Sequence, residues 1–289
     1  SEFIGLASIT ELPVIIVDVQ RGGPSTGLPT KTEQSDLLQS LFARHGDCPL
    51  PIIAAHSPSD CFECSMEAAR IALTYMTPVI FLSDLYVANG AEPWKIPNVS
   101  KLPEIKTQFA QDPDDFVVYR RNSETLARTQ AIPGQAGFEH RIGGLEKSED
   151  GSVSYDPENH EQMTHLRMEK INGIAKTYDP IEVQGDDEGD LLVIGWGGTY
   201  GAISSATKVL QNEGYSISSI HLRHLNPLPN DLGPLLARFK RVIVPELNLG
   251  QLSMILKAQF VTEIISYNKV QGKPFKVAEL RDRFVKLLS

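Results

Sequence analysis

Several protein classes are excluded by what this sequence lacks. Cysteine occurs three times in 289 residues, as Cys48, Cys61 and Cys64. That is too few for a disulfide scaffold and suits a reducing compartment, so a cytoplasmic location is expected. No run of about 18 apolar residues exists, and no membrane-spanning helix is expected. The opening SEFIGLASITELP has neither the basic n-region nor the continuous apolar stretch of a signal peptide. An initiator methionine is also absent, and we expect the sequence to begin inside a longer chain. Positive charge is scarce: 27 Lys and Arg against 36 Asp and Glu leave a net charge of −9, which argues against a nucleic-acid partner. There is no Walker loop, no G-x-S-x-G elbow and no zinc-protease helix. Cys61 and Cys64 form C-F-E-C, but no second cysteine pair exists to complete a zinc or iron–sulfur site, so small buried or half-buried residues are expected there.

The remaining composition, 41% hydrophobic and 22% charged, is that of a soluble globular protein of about two domains. Residues 13–19, PVIIVDV, read as a fully buried β-strand of the kind found in parallel sheets. Thr32 reads as the N-cap of a helix over 33–44. Strands are expected at 51–55 and 78–82, with a helix between them from Ser59 or Asp60 to about Met76. Strand and helix alternate without hairpin signals, which predicts an α/β fold with parallel pairing. From 84 to 180 proline and charge rise and periodicity fades. We expect an extended connector with short strands near 115–119 and a polar helix from 157 to 175, an arm that clasps a neighbouring domain or subunit. A second α/β unit follows: strands at 190–194, 216–222, 241–244 and 264–267, and helices at 202–212, 230–239 and 277–288.

The loop R-G-G-P-S-T-G-L-P-T at 21–30 is the most informative stretch. Arg21 leaves the carboxyl end of a strand, where open α/β sheets bind ligands. Gly22, Gly23 and Gly27 permit close backbone approach, while Pro24 and Pro29 stiffen the loop. Ser25, Thr26 and Thr30 add hydroxyls, and an arginine fork beside hydroxyls suits a carboxylate. The G-W-G-G-T-Y-G turn at 195–201 has two readings: a dinucleotide turn, with Arg223 meeting a 2′-phosphate, or simple close packing of strand and helix, which we favour. His221 and His224 lack a third metal ligand and read as ordinary histidines. Beyond Ser266, lysines including Lys269 and Lys273 form a basic end, either a solvated face or a small docking patch for an anionic ligand or acidic partner.

The stretch RGGPSTGLPTKTEQSDL resembles the α subunit of 2-oxoacid:ferredoxin oxidoreductases, especially those of the 2-oxoglutarate type. The similarity continues through SEFIGLA, PVIFLSD at 78–84, GFEH at 137–140, WGGTYGA at 196–202, HLNPLP at 224–229, ELNLGQL at 246–252 and NKVQGKPF at 268–275. The resemblance implies part of a thiamine-diphosphate pyrimidine-binding domain over 1–98, a connector over 99–180 and a transketolase C-terminal-like domain over 181–289. It implies oxidative decarboxylation of a 2-oxoacid, with acyl transfer to coenzyme A and electrons passed to ferredoxin. Thiamine diphosphate, Mg²⁺ and a [4Fe–4S] cluster are expected mostly on a partner β subunit, with none bound tightly by this chain alone. Arg21 is expected to pair with the substrate carboxylate and Thr30 to face the same pocket, with Gly22, Gly23, Ser25 and Thr26 nearby. The glutamate that activates the cofactor is expected upstream of Ser1, so no catalytic residue is assigned within the chain. The competing readings are an NADP-binding oxidoreductase domain and a non-catalytic assembly scaffold.

Overall fold

The computed structural model describes every residue except Lys106 and Gln108. Its elements run α1 (Glu2–Thr10), β1 (Val14–Gln20), α2 (Leu37–Phe42), β2 (Ile52–Ala54), α3 (Asp60–Tyr75), β3 (Pro78–Asp84), α4 (Leu85–Ala88) and α5 (Pro157–Gly173). They continue with β4 (Val183–Gln184), β5 (Gly189–Trp196), α6 (Tyr200–Asn212), β6 (Ile217–Leu222), β7 (His224–Asn226), α7 (Leu232–Leu236), β8 (Phe239–Glu246), α8 (Gln251–Gln259), β9 (Ile264–Asn268) and α9 (Val277–Leu288). Two sheets form, in the orders β1-β3-β2-β7 and β4-β6-β5-β8-β9. Among the described strands, β7 and β4 run antiparallel to their neighbours and the rest pair in parallel. The fold is therefore α/β with two mostly parallel sheets, as the alternation of strand and helix predicts.

The centres of both sheets follow from composition. Every residue of β3, PVIFLSD, is buried, and Leu191–Trp196 of β5 are buried as well. Strands buried on both faces read as continuous apolar runs because helices cover both sides. The two sheets also share a core: Leu37, Ile52, Ile80 and Leu82 from the first unit pack in one cluster with Leu192, Trp196, Leu225 and Val244 from the second. Strand β7 lies beyond residue 181 in sequence yet pairs with β2 of the first sheet, with Ile52 opposite Asn226.

Four expectations are corrected. Strand β1 is not fully buried. It is the edge of its sheet, bonded only to β3, with Val17 58% exposed and Ile15 and Val19 also exposed. The helix expected over 33–44 is confined to Leu37–Phe42. Residues 32–36 stay out of it because their polar groups bond to distant partners: Thr32 Oγ1 donates to Asp84, and Gln34 bonds to Trp196 and Leu247. Such tertiary contacts override a weak local propensity. Residues 115–119 form turns rather than a strand. Helix α7 is shorter than expected, and Phe239 opens β8 instead.

The connector packs on the chain's own elements. Tyr119 and Val118 are buried against Met163 of α5. Isolated bridges such as Arg121 with Arg128 and Lys147 with Val153 tie its turns. A buried carboxylate, Glu11, fastens it to α1 and α5 by accepting from Arg121 and Lys170, each at 2.5 Å. Among the described residues no helix is long and apolar enough to cross a membrane.

Candidate functional site

The loop after β1 is a closed, hydrogen-bonded structure. Gly22 N–H donates to the Lys31 carbonyl at 2.9 Å, Leu28 N–H to Gly22 at 2.8 Å, and Lys31 N–H to Leu28 at 3.0 Å. Gly27 has φ +46°, and a Cβ there would lie 2.2 Å from the Gly22 carbonyl oxygen, so only glycine closes this turn. Gln20 anchors the strand exit: its side-chain amide donates to the Ser83 carbonyl and accepts from Asp36 N–H. The Arg21 carbonyl accepts from Ser35 Oγ at 2.9 Å.

This frame presents Arg21, Gly23, Ser25, Thr26 and Thr30 exposed at the carboxyl end of the sheet, while Gly22 is buried beneath them. The Arg21 guanidinium has no ion pair or hydrogen bond among the described residues. A fixed backbone carrying an unpaired guanidinium and nearby hydroxyls can accept a planar anion without first ordering itself.

Acids that local reading did not single out lie under and beside the loop. Glu33, 8% exposed, lies against Gly22: a Cβ there would sit 3.4 Å from Glu33 Cδ. Burial raises its pKa above the ordinary carboxylate value. Asp18 on β1 is pushed up to about 6, by burial first and then by the neighbouring charge of Asp36. Only the tertiary fold brings residues 268–275 against the loop: Gly272, at φ +62°, would place a Cβ 2.7 Å from Lys31 Cβ and 2.9 Å from Leu28 Cδ1.

The second glycine turn proves to be a packing device. Gly198 N–H, the donor that a phosphate would need, is taken by Asp84 Oδ2 at 2.8 Å. Asp84 is fully buried and also accepts from Thr32 Oγ1, Tyr86 N–H and Val87 N–H. A Cβ on Gly198 would sit 2.7 Å from Asp84 Oδ2. Glu246 plays a similar part, taking the Trp196 indole N–H and the N–H groups of Leu252 and Ser253. Arg223, the candidate for a 2′-phosphate, is paired with Asp60. His224 stacks on Tyr178 at 3.6 Å and bonds to Glu67 at 3.1 Å. His221 is held down to about 3 by burial, with smaller repulsion from His56.

Cys64 is fully buried, and its thiol donates to the Ala54 carbonyl; burial raises its pKa. Among the described residues no group of three or more His, Cys, Asp or Glu could hold a metal ion. The basic end divides in two. Lys269 is 9% exposed and committed to Glu279 at 2.6 Å and the Pro274 carbonyl at 2.9 Å, so it is a structural cation rather than a docking one. Lys273 is exposed. A cleft of about 800 Å³ lies between α3 and the connector. Two of its lining arginines are already paired, Arg70 with Glu67 and Arg120 with Asp115.

Comparison with known proteins gives a consistent set of matches. Residues 1–156 match the family described as pyruvate flavodoxin/ferredoxin oxidoreductase, thiamine diphosphate-binding. The 2-oxoglutarate oxidoreductase subunit KorA of Mycobacterium tuberculosis is 51% identical over 289 residues, covering 99% of this chain and 44% of the relative. The 2-oxoglutarate synthase subunit KorA of Archaeoglobus fulgidus is 33% identical over 254 residues, covering 86% of this chain and 65% of the relative. The solved 2-oxoglutarate:ferredoxin oxidoreductase of Magnetococcus marinus, with 2-oxoglutarate, coenzyme A and succinyl-CoA bound, is similar with a TM-score of 0.94 and 33% identity. That likeness covers 99% of this chain and 50% of the other. The chain thus spans about half the length of the Mycobacterium relative and of the Magnetococcus chain.

Proposed function

This chain belongs to the pyruvate flavodoxin/ferredoxin oxidoreductase family, and on that premise we propose that it is part of the α subunit of a thiamine-diphosphate-dependent 2-oxoacid:ferredoxin oxidoreductase. The reaction is oxidative decarboxylation of a 2-oxoacid, 2-oxoglutarate in our reading, to its acyl-CoA with electrons passed to ferredoxin. The observation that carries this is the loop of 21–31: a preformed backbone at the carboxyl end of a parallel sheet, offering one unpaired arginine, Arg21. Arg21 grips the substrate carboxylate through two parallel N–H donors. Thr30 faces the same pocket and donates its hydroxyl, and the Gly22-Gly23 backbone lets the ligand approach closely.

The loop is an edge rather than an enclosed pocket, and we assign the remaining walls to a partner β subunit. No cluster of acidic or histidine ligands for Mg²⁺ lies among the described residues, so the diphosphate, its metal and the [4Fe–4S] cluster are assigned to that partner too. Thiamine diphosphate, when bound, supplies the electron sink for cleaving the bond to the departing carboxylate. This chain's part is to bind and orient the 2-oxoacid. The NADP reading is weakened because both of its anchors, Gly198 N–H and Arg223, are occupied within the protein.

The test is made on the full-length protein co-produced with its partner subunit. Coenzyme A-dependent reduction of a low-potential viologen dye is followed with 2-oxoglutarate, pyruvate and 2-oxobutyrate. Turnover is expected, fastest with 2-oxoglutarate. An assembled, cluster-loaded complex that reduces the dye with none of these acids refutes the reading.

A further inference from the structure

Residues 21–31 carry almost no core of their own. Apart from Gly22 they are all exposed, so the place of Arg21 is set where the two limbs of the loop meet the body of the protein. The limbs are joined beside the arginine itself: Gly22 N–H donates to the Lys31 carbonyl at 2.9 Å. Whatever holds the chain just past Lys31 therefore also holds Arg21.

The outgoing limb is fixed within its own sheet. Strand β1 ends with Gln20 opposite Asp84 of β3, and the Gln20 side chain donates to the Ser83 carbonyl at 3.1 Å. The returning limb is held differently. Thr32, 5% exposed, donates its hydroxyl to Asp84 Oδ1 at 3.0 Å. The other oxygen of that carboxylate, Oδ2, accepts from Gly198 N–H at 2.8 Å, in the glycine turn after β5. One buried carboxylate thus stands between the loop and the second sheet. Two residues on, Gln34 is fully buried and bonded to the same second unit. Its amide donates to the Trp196 carbonyl at 2.7 Å and accepts from Leu247 N–H at 2.9 Å. Its backbone N–H donates to the Leu247 carbonyl, and its carbonyl accepts from the Asn248 side chain. The first α/β unit carries the loop, but the second decides where it returns.

Asp84 has no ion pair among the described residues. Its donors are the N–H groups of Tyr86 and Val87 in α4, the Gly198 N–H and the Thr32 hydroxyl. Of these, Thr32 is the donor that reaches it from the end of the loop. Hydrogen bonds to a carboxylate are roughly twice as strong as those to a neutral acceptor.

We infer that Thr32 is a positioning residue for Arg21: through Asp84 it ties the returning limb of the loop to the second sheet and so fixes where the guanidinium stands. This rests on the reading of the loop as a carboxylate site, but the tie is measurable apart from that reading. Thr32→Val keeps the shape of the side chain and removes the donor. Asp84 keeps its three backbone donors, so α4 and the glycine turn stay anchored.

The experiment uses the assembled full-length enzyme and two readouts. The first is hydrogen exchange of peptides covering 22–31 in Thr32→Val. That segment should exchange roughly tenfold faster, while β5 and β8 stay as in the wild type. Unchanged exchange over 22–31 overturns the proposal. So does an equal acceleration throughout the protein, which would make Thr32 a general stabiliser.

The second readout is kinetic. Thr32→Val should lower kcat/KM for the 2-oxoacid by roughly tenfold, chiefly through KM, because a displaced arginine grips the carboxylate less well. Thr32→Ser keeps the donor and should recover most of that loss. A serine variant as impaired as the valine one would place the effect in the packing of the methyl group and overturn the proposal. In an Arg21→Lys background most of the cost of Thr32→Val should vanish, because the residue being placed is gone. Fully additive effects would refute action through Arg21. If exchange rises locally while Arg21→Lys alone leaves kinetics unchanged, the tie stands and the carboxylate reading falls.

Discussion

Replacing Glu11 by glutamine tests the ionic knot that holds the connector to the first sheet. Glu11 closes α1 with φ 54° and is 1% exposed. Its Oε2 receives Arg121 Nη1 and Lys170 Nζ, both at 2.5 Å. Lys170 is 2% exposed and, among the described residues, has the Met76 carbonyl as its one other acceptor. Arg128 and Lys147 lie close by, bonded to the backbone carbonyls of residues 9–11. Burial raises the Glu11 pKa, but the attraction of Lys170 and Arg121 outweighs it and holds the value at about 2. Burial brings Lys170 down to about 8 against the pull of Glu11. Removing the carboxylate leaves two interior cations without their counter-charge. Breaking a buried pair in this way costs about 3–5 kcal/mol.

For a chain of this size each kcal/mol is roughly 3 °C, so Glu11→Gln should lower the melting midpoint by about 10 °C at pH 7. The pH dependence has a definite sign. The folded pKa of Glu11 lies below its unfolded value of 4.5, so its stabilisation is complete above that pH and disappears as pH falls toward 2. On the alkaline side, Lys170 of the wild type loses its charge as pH rises through about 8, so its attraction to Glu11 fades and the advantage over the variant shrinks. The gap between wild type and variant should therefore be widest between about pH 5 and 7 and narrow on both sides. Melting curves followed by circular dichroism over that range make the measurement. A shift under about 2 °C at pH 7, or a gap that is flat with pH, would refute the reasoning.

Three further outcomes are expected. In the assembled enzyme Arg21→Lys keeps the charge but loses the two-point grip, so kcat/KM for the 2-oxoacid should fall by about 10- to 100-fold, with melting unchanged because Arg21 has no internal partner; kinetics within twofold of wild type would remove Arg21 from the carboxylate site. Gly198→Ala drives a methyl group to within 2.7 Å of buried Asp84 Oδ2 and should destabilise the chain by about 2 kcal/mol or more, read by urea unfolding, whereas Gly201→Ala, with open space around its α-carbon, should be close to neutral. Lys269→Ala should lower stability through the lost Glu279 contact, while Lys273→Ala should leave the unfolding midpoint in place; equal shifts for the two would show that the basic end is a uniform solvated face.

Much of the loop's structure was legible because it is local. The density of Gly, Pro, Ser and Thr after β1 announces a stiff loop, and the hydrogen bonds within 22–31 are made by that segment itself. Arg21 is readable by position, since a residue leaving a parallel strand stands at the ligand-binding end. Glu33 was not readable. It lies inside T-E-Q-S-D, which presents a plausible helix start, and only the folded loop sets Gly22 against its carboxyl group. The same distance hid the meaning of G-W-G-G-T: glycines announce close approach, but not whether a phosphate or a carboxylate of the protein approaches.

The sequence by itself determined the alternation of buried strands and helices, hence the class of fold, because periodicity and apolar runs depend only on neighbours along the chain. It also determined the stiffness and chemistry of the 21–30 loop. Tertiary structure alone decided which strand was the edge, since β1 and β3 are equally apolar and differ only in what pairs beside them. It alone placed β7 in the first sheet and filled the second glycine turn with Asp84. The last two each depend on a contact between residues more than a hundred positions apart. Local propensity is worth fractions of a kcal/mol per residue, while a buried carboxylate that takes four donors is worth several, and the larger effect sets the structure.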